Sequence, residues 1–215
     1  MKKTLAFILA VALLCIMAVG TTLTYFTDTD FDKNVMTVGK VEIEQIEVFS
    51  ANSALRPYIG EVPDTGDFDT AKNAVTKTVT VQYNTETEEA YIRTLFAFEA
   101  FNGDPIANSK IHANFTSAGN VACVGSVVVD GVTYIVYSFT YNSPVTGNAI
   151  TEASLKQIAL DCSVGNEFYE AVGAEYNILV LSQAVQSTGF ANAADAFAAA
   201  FPYGENNANV ANWFN

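Results

Sequence analysis

Ser126-Val127-Val128-Val129-Asp130-Gly131-Val132-Thr133-Tyr134-Ile135-Val136-Tyr137 sets an Asp-Gly pair between two β-branched runs. Both turn residues tolerate positive φ, so the stretch predicts a β-hairpin. Upstream, Val75, Val79, Val81 and Tyr83 alternate with Thr76, Thr78, Thr80 and Gln82, the period of a strand. Lys77 interrupts the apolar side, which suits a position near a sheet edge. Ala90 to Phe98 is apolar at nearly every position, as expected of a strand covered on both faces. Downstream, Tyr176 to Ser182 predicts a final strand. Helical signals are few: a short helix over Thr151 to Leu160, capped by Thr151 or Ser154, and a better one over Asn192 to Phe201. The second has Asn192 as N-cap and ends before Pro202 and Gly204, with Phe197 and Phe201 on one face to dock it on a sheet. Ser50 to Asn73, with Pro57, Gly60, Pro63 and Gly66, reads as a long surface connection. Many strands and too few helices for βαβ units predict a mainly β protein, an antiparallel jelly-roll-like β-sandwich with one or two short peripheral helices.

The chain has 215 residues, 50% of them hydrophobic and 15% charged, which excludes an intrinsically disordered chain and fits one domain. Ten Lys and Arg against 23 Asp and Glu give a net charge of −13. Nothing in that balance neutralises a run of phosphates, so nucleic acid is excluded as a partner.

Lys2 and Lys3 precede an apolar centre from Leu5 to Val19, followed by Gly20-Thr21-Thr22-Leu23-Thr24. This is the layout of a secretory signal peptide over residues 1–24, cleaved between Thr24 and Tyr25. The alternative is an uncleaved anchor, the one route by which this chain would contact a membrane. Cleavage removes Lys2 and Lys3 from a net −13 and leaves −15, so the exported copies repel one another at low salt. It also leaves two cysteines, Cys123 and Cys162. A bridge between them, worth roughly 4 kcal/mol of loop closure, is one alternative and a pair of buried thiols the other.

The one histidine, His112, is too little for most His-dependent hydrolase and zinc chemistry and reads as an ordinary strand or surface residue. Asp64-Thr65-Gly66 matches the aspartic-protease tripeptide, but Pro63 and its loop-like surroundings make it a solvated turn. Asp28, Asp30 and Asp32 open like an EF-hand, yet Lys33 and Gly39 stand where Gly and Glu are needed. Asn114-Phe115-Thr116 fits a glycosylation acceptor. No phosphate loop, Cys-x-x-Cys, His-Glu-x-x-His or nucleophile elbow occurs in the sequence. The expectation is a non-enzyme with no catalytic, metal or cofactor residues.

The segment behind the cleavage point carries more information. Tyr25 to Gly39 is acidic, then mildly apolar, and ends at a glycine. Lys40-Val41-Glu42-Ile43-Glu44 then alternates as a half-buried strand whose phase slips at Gln45, where Ile46 and Val48 take over, predicting a bulge.

Tyr25-Phe26-Thr27-Asp28, the Asn34 to Gly39 spacing and the strand from Lys40 to Glu44 together resemble the TasA/camelysin family, exported proteins of Gram-positive bacteria processed by a SipW-type signal peptidase. Lys77 to Val81 followed by Ala90 to Arg93, and Gln183 to Gln186 with Gly189-Phe190, are similar to the family's central strands and its ending. The resemblance implies a secreted jelly-roll sandwich, residues 40–215, that homopolymerises into extracellular biofilm-matrix fibres. It further implies that an N-terminal arm, residues 25–39, adds as a strand to a neighbour's sheet, with Phe26, Phe31, Val35, Met36 and Val38 as anchors. The alternative is that the arm folds back on its own subunit. Two other functions stay open: a membrane-tethered surface adhesin or binding module, and the metallopeptidase activity ascribed to some relatives, from which this sequence departs.

Overall fold

The computed structural model describes residues 27–30, 41–50, 55–85, 88–100, 110–166, 170 and 176–201. Its strands are β1 (Thr27–Asp30), β2 (Ile43–Phe49), β3 (Val75–Tyr83), β4 (Ala90–Glu99), β5 (Ile111–Phe115), β6 (Gly119–Val129), β7 (Val132–Tyr141), β8 (Ala149–Ile150), β9 (Leu155–Leu160) and β10 (Ile178–Gln186). They form two antiparallel sheets. The first runs β1-β10-β4-β7-β6; the second runs β2-β3-β9-β5, with β8 also on β3. Apart from the β2–β3 and β6–β7 neighbours, adjacent strands are distant in sequence, and the first lies beside the last. That wrapping is the jelly-roll arrangement the sequence predicts.

The hairpin that decides the fold closes as expected. Asp130 and Gly131 have φ of 50° and 82°, the left-handed pair whose twist matches the flanking strands. β3 alternates strictly between buried and half-buried positions, and β4 is buried along almost its whole length. Between the sheets, Val79, Val81 and Tyr83 of β3 pack with Ile92, Phe96 and Phe98 of β4, Phe139 of β7, Leu155 of β9 and Val180 of β10. Each such buried side chain contributes about 1.5–3 kcal/mol. One α-helix, α1 (Ala193–Ala200), lies among the described residues; Asn192 caps it by accepting from the Asp195 amide. Phe197 is buried against Val185 of β10, so the helix sits on the outer face of the first sheet.

Three expectations are corrected. Thr151 to Leu160 holds no helix: Leu155–Leu160 is a strand buried on both faces between β3 and β5. Its Lys, Gln, Ala and Leu favour helix locally, but pairing on both sides overrides that propensity. The connection after Ser50 is not wholly superficial. Tyr58, Val62, Phe68 and Ala74 form a small core against Ala159 of β9, and the Gln157 side chain accepts from the Phe68 amide and donates to its carbonyl, both at 2.7 Å. Finally, β2 has no bulge at Gln45. Its register with β3 is unbroken from Ile43 opposite Tyr83 to Phe49 opposite Lys77. The phase slip has a different cause: Gln45 and Glu47 turn polar side chains toward partners on the inner side.

Candidate strand-exchange site

β10 is the strand with which β1, the described part of the N-terminal segment, pairs within its own subunit. On one side all nine residues pair with β4, from Ile178 opposite Phe98 to Gln186 opposite Ala90. On the other, β1 pairs with four residues only, Thr27 opposite Val185 to Asp30 opposite Ser182. Ile178 to Leu181 therefore has no strand neighbour on the β1 side among the described residues. Backbone amides and carbonyls alternate along a strand, so groups on this half of the edge can accept further ladder bonds; the Val180 carbonyl already accepts from Gln45 Nε2 at 3.4 Å.

The inner side of the site is polar. Ser182 Oγ donates to Gln45 Oε1 of β2 across the two sheets at 2.7 Å and lies 3.2 Å from Thr94 Oγ1 of β4. Gln45 Nε2 donates to Glu47 Oε1 at 2.7 Å. Glu47 in turn is ion-paired with Lys77 of β3, which is only 7% exposed. A chain of hydrogen bonds thus runs from β4 to β3 beneath the place where the arm lies. Opening a polar seam exposes groups that water can satisfy, so it costs less than opening an apolar one.

The outer side is held by α1. Arg93 of β4, 2% exposed, donates from Nε to Gln183 Oε1 at 2.7 Å. Its guanidinium stacks under Phe197 and Phe201, with ring centroids at 4.4 and 5.2 Å, a desolvated cation–π arrangement. The helix thereby clamps β10 to β4, so β10 keeps its position whether or not β1 is seated.

Thr27, Asp28, Thr29 and Asp30 are the part of the arm that the structure places. Thr24, Tyr25, Phe26, Phe31, Val35, Met36 and Val38, the cleavage bond and the anchors, lie outside the described residues, as does the 1–24 segment. No helix among the described residues is long and apolar enough to cross a membrane. Cys123, on β6, and Cys162, after β9, are free and exposed in this structure. Asp64-Thr65-Gly66 lies in an exposed turn beside an open cleft shared with Asn114, Glu152 and Lys156. Asn114 donates to Gln157 at 3.1 Å. His112 on β5 meets Asp161 at 3.0 Å. Hydrogen bonds from Ser163, then from His112, hold the Asp161 carboxyl down at about 2. Among the described residues no three His, Cys, Asp or Glu gather as a metal site.

Sequence reasoning missed Gln45, Ser182, Thr94 and Arg93. The signal for Gln45 was present, since a polar residue where the strand phase wants an apolar one marks either a bulge or an inward hydrogen bond. Ser182, Thr94 and Arg93 carried none, because their partners are distant in sequence.

Fold and site together define a two-sheet antiparallel sandwich whose first described strand pairs with four of the nine residues of β10. The chain matches no protein-family model, and no curated protein matches it.

Proposed function

We propose that this is an exported structural protein that polymerises at the cell surface of a Gram-positive bacterium, each subunit lending its N-terminal arm to the sheet of the next. A SipW-type signal peptidase frees the arm by cutting between Thr24 and Tyr25. The observation that carries this reading is the edge of β10, where among the described residues β1 covers four of nine. A strand that can seat in cis can seat with the same register in trans, the logic of domain swapping. A donor strand continuing that register sets Phe31 opposite Leu181 and Asn34 opposite Ile178, completing the ladder. Because donor and acceptor are different surfaces, the contact does not close on itself, and filaments follow. The polar seam beneath the arm keeps cis and trans seating close in free energy.

Mass spectrometry and electron microscopy of the exported protein test the reading. An N-terminus at Tyr25 together with filaments is expected. An intact Met1 on a protein that stays unassembled would instead indicate the membrane-tethered adhesin.

A further inference from the structure

In a jelly roll, the strand that follows β5 ordinarily lies beside it and closes the second sheet. Here β6 instead hairpins onto β7 and extends the first sheet, leaving β5 as the edge of the second. The consequence shows in its burial. Seven of the eleven residues of β6, Asn120 to Cys123, Gly125, Ser126 and Val128, are exposed. Val121 and Cys123 stand opposite Phe139 and Tyr137, and Val128 opposite Thr133. They therefore point to the side of the sheet that faces the core, where nothing described covers them. Val121 is 42% and Val128 57% exposed.

Among the described residues the four sheet edges also differ in charge. β1 carries Asp28 and Asp30, β2 carries Glu44 and Glu47, and β5 carries His112, whereas β6 has no charged residue and no proline along its length. Long, uncharged, exposed edges of this kind pair with other strands unless something prevents it. The irregularity between Cys123 and Gly125 splits the edge into two runs of five residues, and among the described residues neither has a strand partner beyond β7. An acidic or a basic partner finds no complement on this edge. On a chain of net charge −13, a second copy meets no like charge along this strand.

We infer that β6 is a second self-association edge, along which two copies of this chain pair antiparallel, β6 to β6, about a two-fold axis. The contact is distinct from strand donation. It joins identical surfaces and therefore closes, so in filaments built as proposed above it pairs neighbouring filaments side by side.

The test compares the exported protein with a Val121→Lys/Val128→Lys variant and a Val121→Thr/Val128→Thr control. Both exposed positions accept either residue without a cavity, and circular dichroism checks the fold. Lysines facing each other across a two-fold should weaken pairing by about tenfold or more, although they lower the net negative charge and so reduce general repulsion. Sedimentation velocity below the filament threshold should show a dimer that the lysine variant loses and the threonine control keeps. Electron microscopy above the threshold should show paired filaments becoming single. Unchanged dimer and filament width in the lysine variant, or a wild-type protein that never pairs, would overturn the inference. A lysine-sensitive dimer that never yields filaments would leave it standing and remove the polymer reading instead.

Discussion

Deleting Phe26 to Val38 separates what the arm does in cis from what it does in trans. The seated part makes four register pairs with β10, roughly four ladder hydrogen bonds at about 1 kcal/mol each, or ~4 kcal/mol. Losing that much from a domain stabilised by about 5–15 kcal/mol leaves a folded monomer. It keeps the α1 clamp and the inter-sheet core, which the deletion does not touch. In trans the same ~4 kcal/mol corresponds to a dissociation constant of about 1 mM, too weak for assembly at micromolar concentration. Micromolar assembly needs about 8 kcal/mol, so roughly half must come from apolar anchors, at about 1.5–3 kcal/mol each. The arm deletion should therefore abolish filaments. Phe31→Ala alone should raise the critical concentration, read from pelleting assays, by about tenfold or more. A deletion variant that still makes normal filaments would refute strand donation. An unshifted threshold for Phe31→Ala would refute the division of energy between ladder and anchors.

Other perturbations probe the parts that hold the site. Phe197→Ala empties the pocket over Arg93 and Val185 and should cost about 3–5 kcal/mol in denaturant unfolding. Asp161 titrates at about 2 in the folded protein against 3.8 ordinarily, so the unfolded chain takes up the proton first as pH falls. Its contribution is present in full above pH 3.8 and is lost on descending to about 2. With the carboxylate a quarter exposed, that contribution is small. Asp161→Asn should flatten the acid limb of the stability curve in that window and leave neutral stability little changed, as pH-dependent thermal melts can check.

The legible part of the fold lies where a pattern is local. The Asp130-Gly131 turn, the alternation of β3, the continuous burial of β4 and the Asn192 cap each show as a pattern over a few consecutive residues, and each forms as expected. β9 was not legible, because Lys156, Gln157 and Ala159 are made strand residues by β3 and β5 on either side. The packed connection at Tyr58 and Phe68 was hidden for the same reason: its core partner, Ala159, is about a hundred residues away. Of the candidate site, the sequence marked the acidic segment behind the N-terminal apolar run, and its role as an arm came from the resemblance alone. Its seat was not legible, since the Ser182–Gln45 and Arg93–Gln183 bonds join residues 137 and 90 positions apart.

Composition and periodicity alone decide that this chain is a strand-rich sandwich with no basic surface and one good helix, because hydrophobic spacing and turn chemistry act over a few residues. They leave open which edge each strand meets. That β1 meets β10 at Ser182 to Val185, that a polar seam runs beneath it, and that β6 joins the first sheet as an uncharged strand beyond β7 are outcomes of tertiary pairing. Backbone hydrogen bonds in a sheet are nearly independent of side-chain identity, so only the packing of the whole molecule selects among the edges.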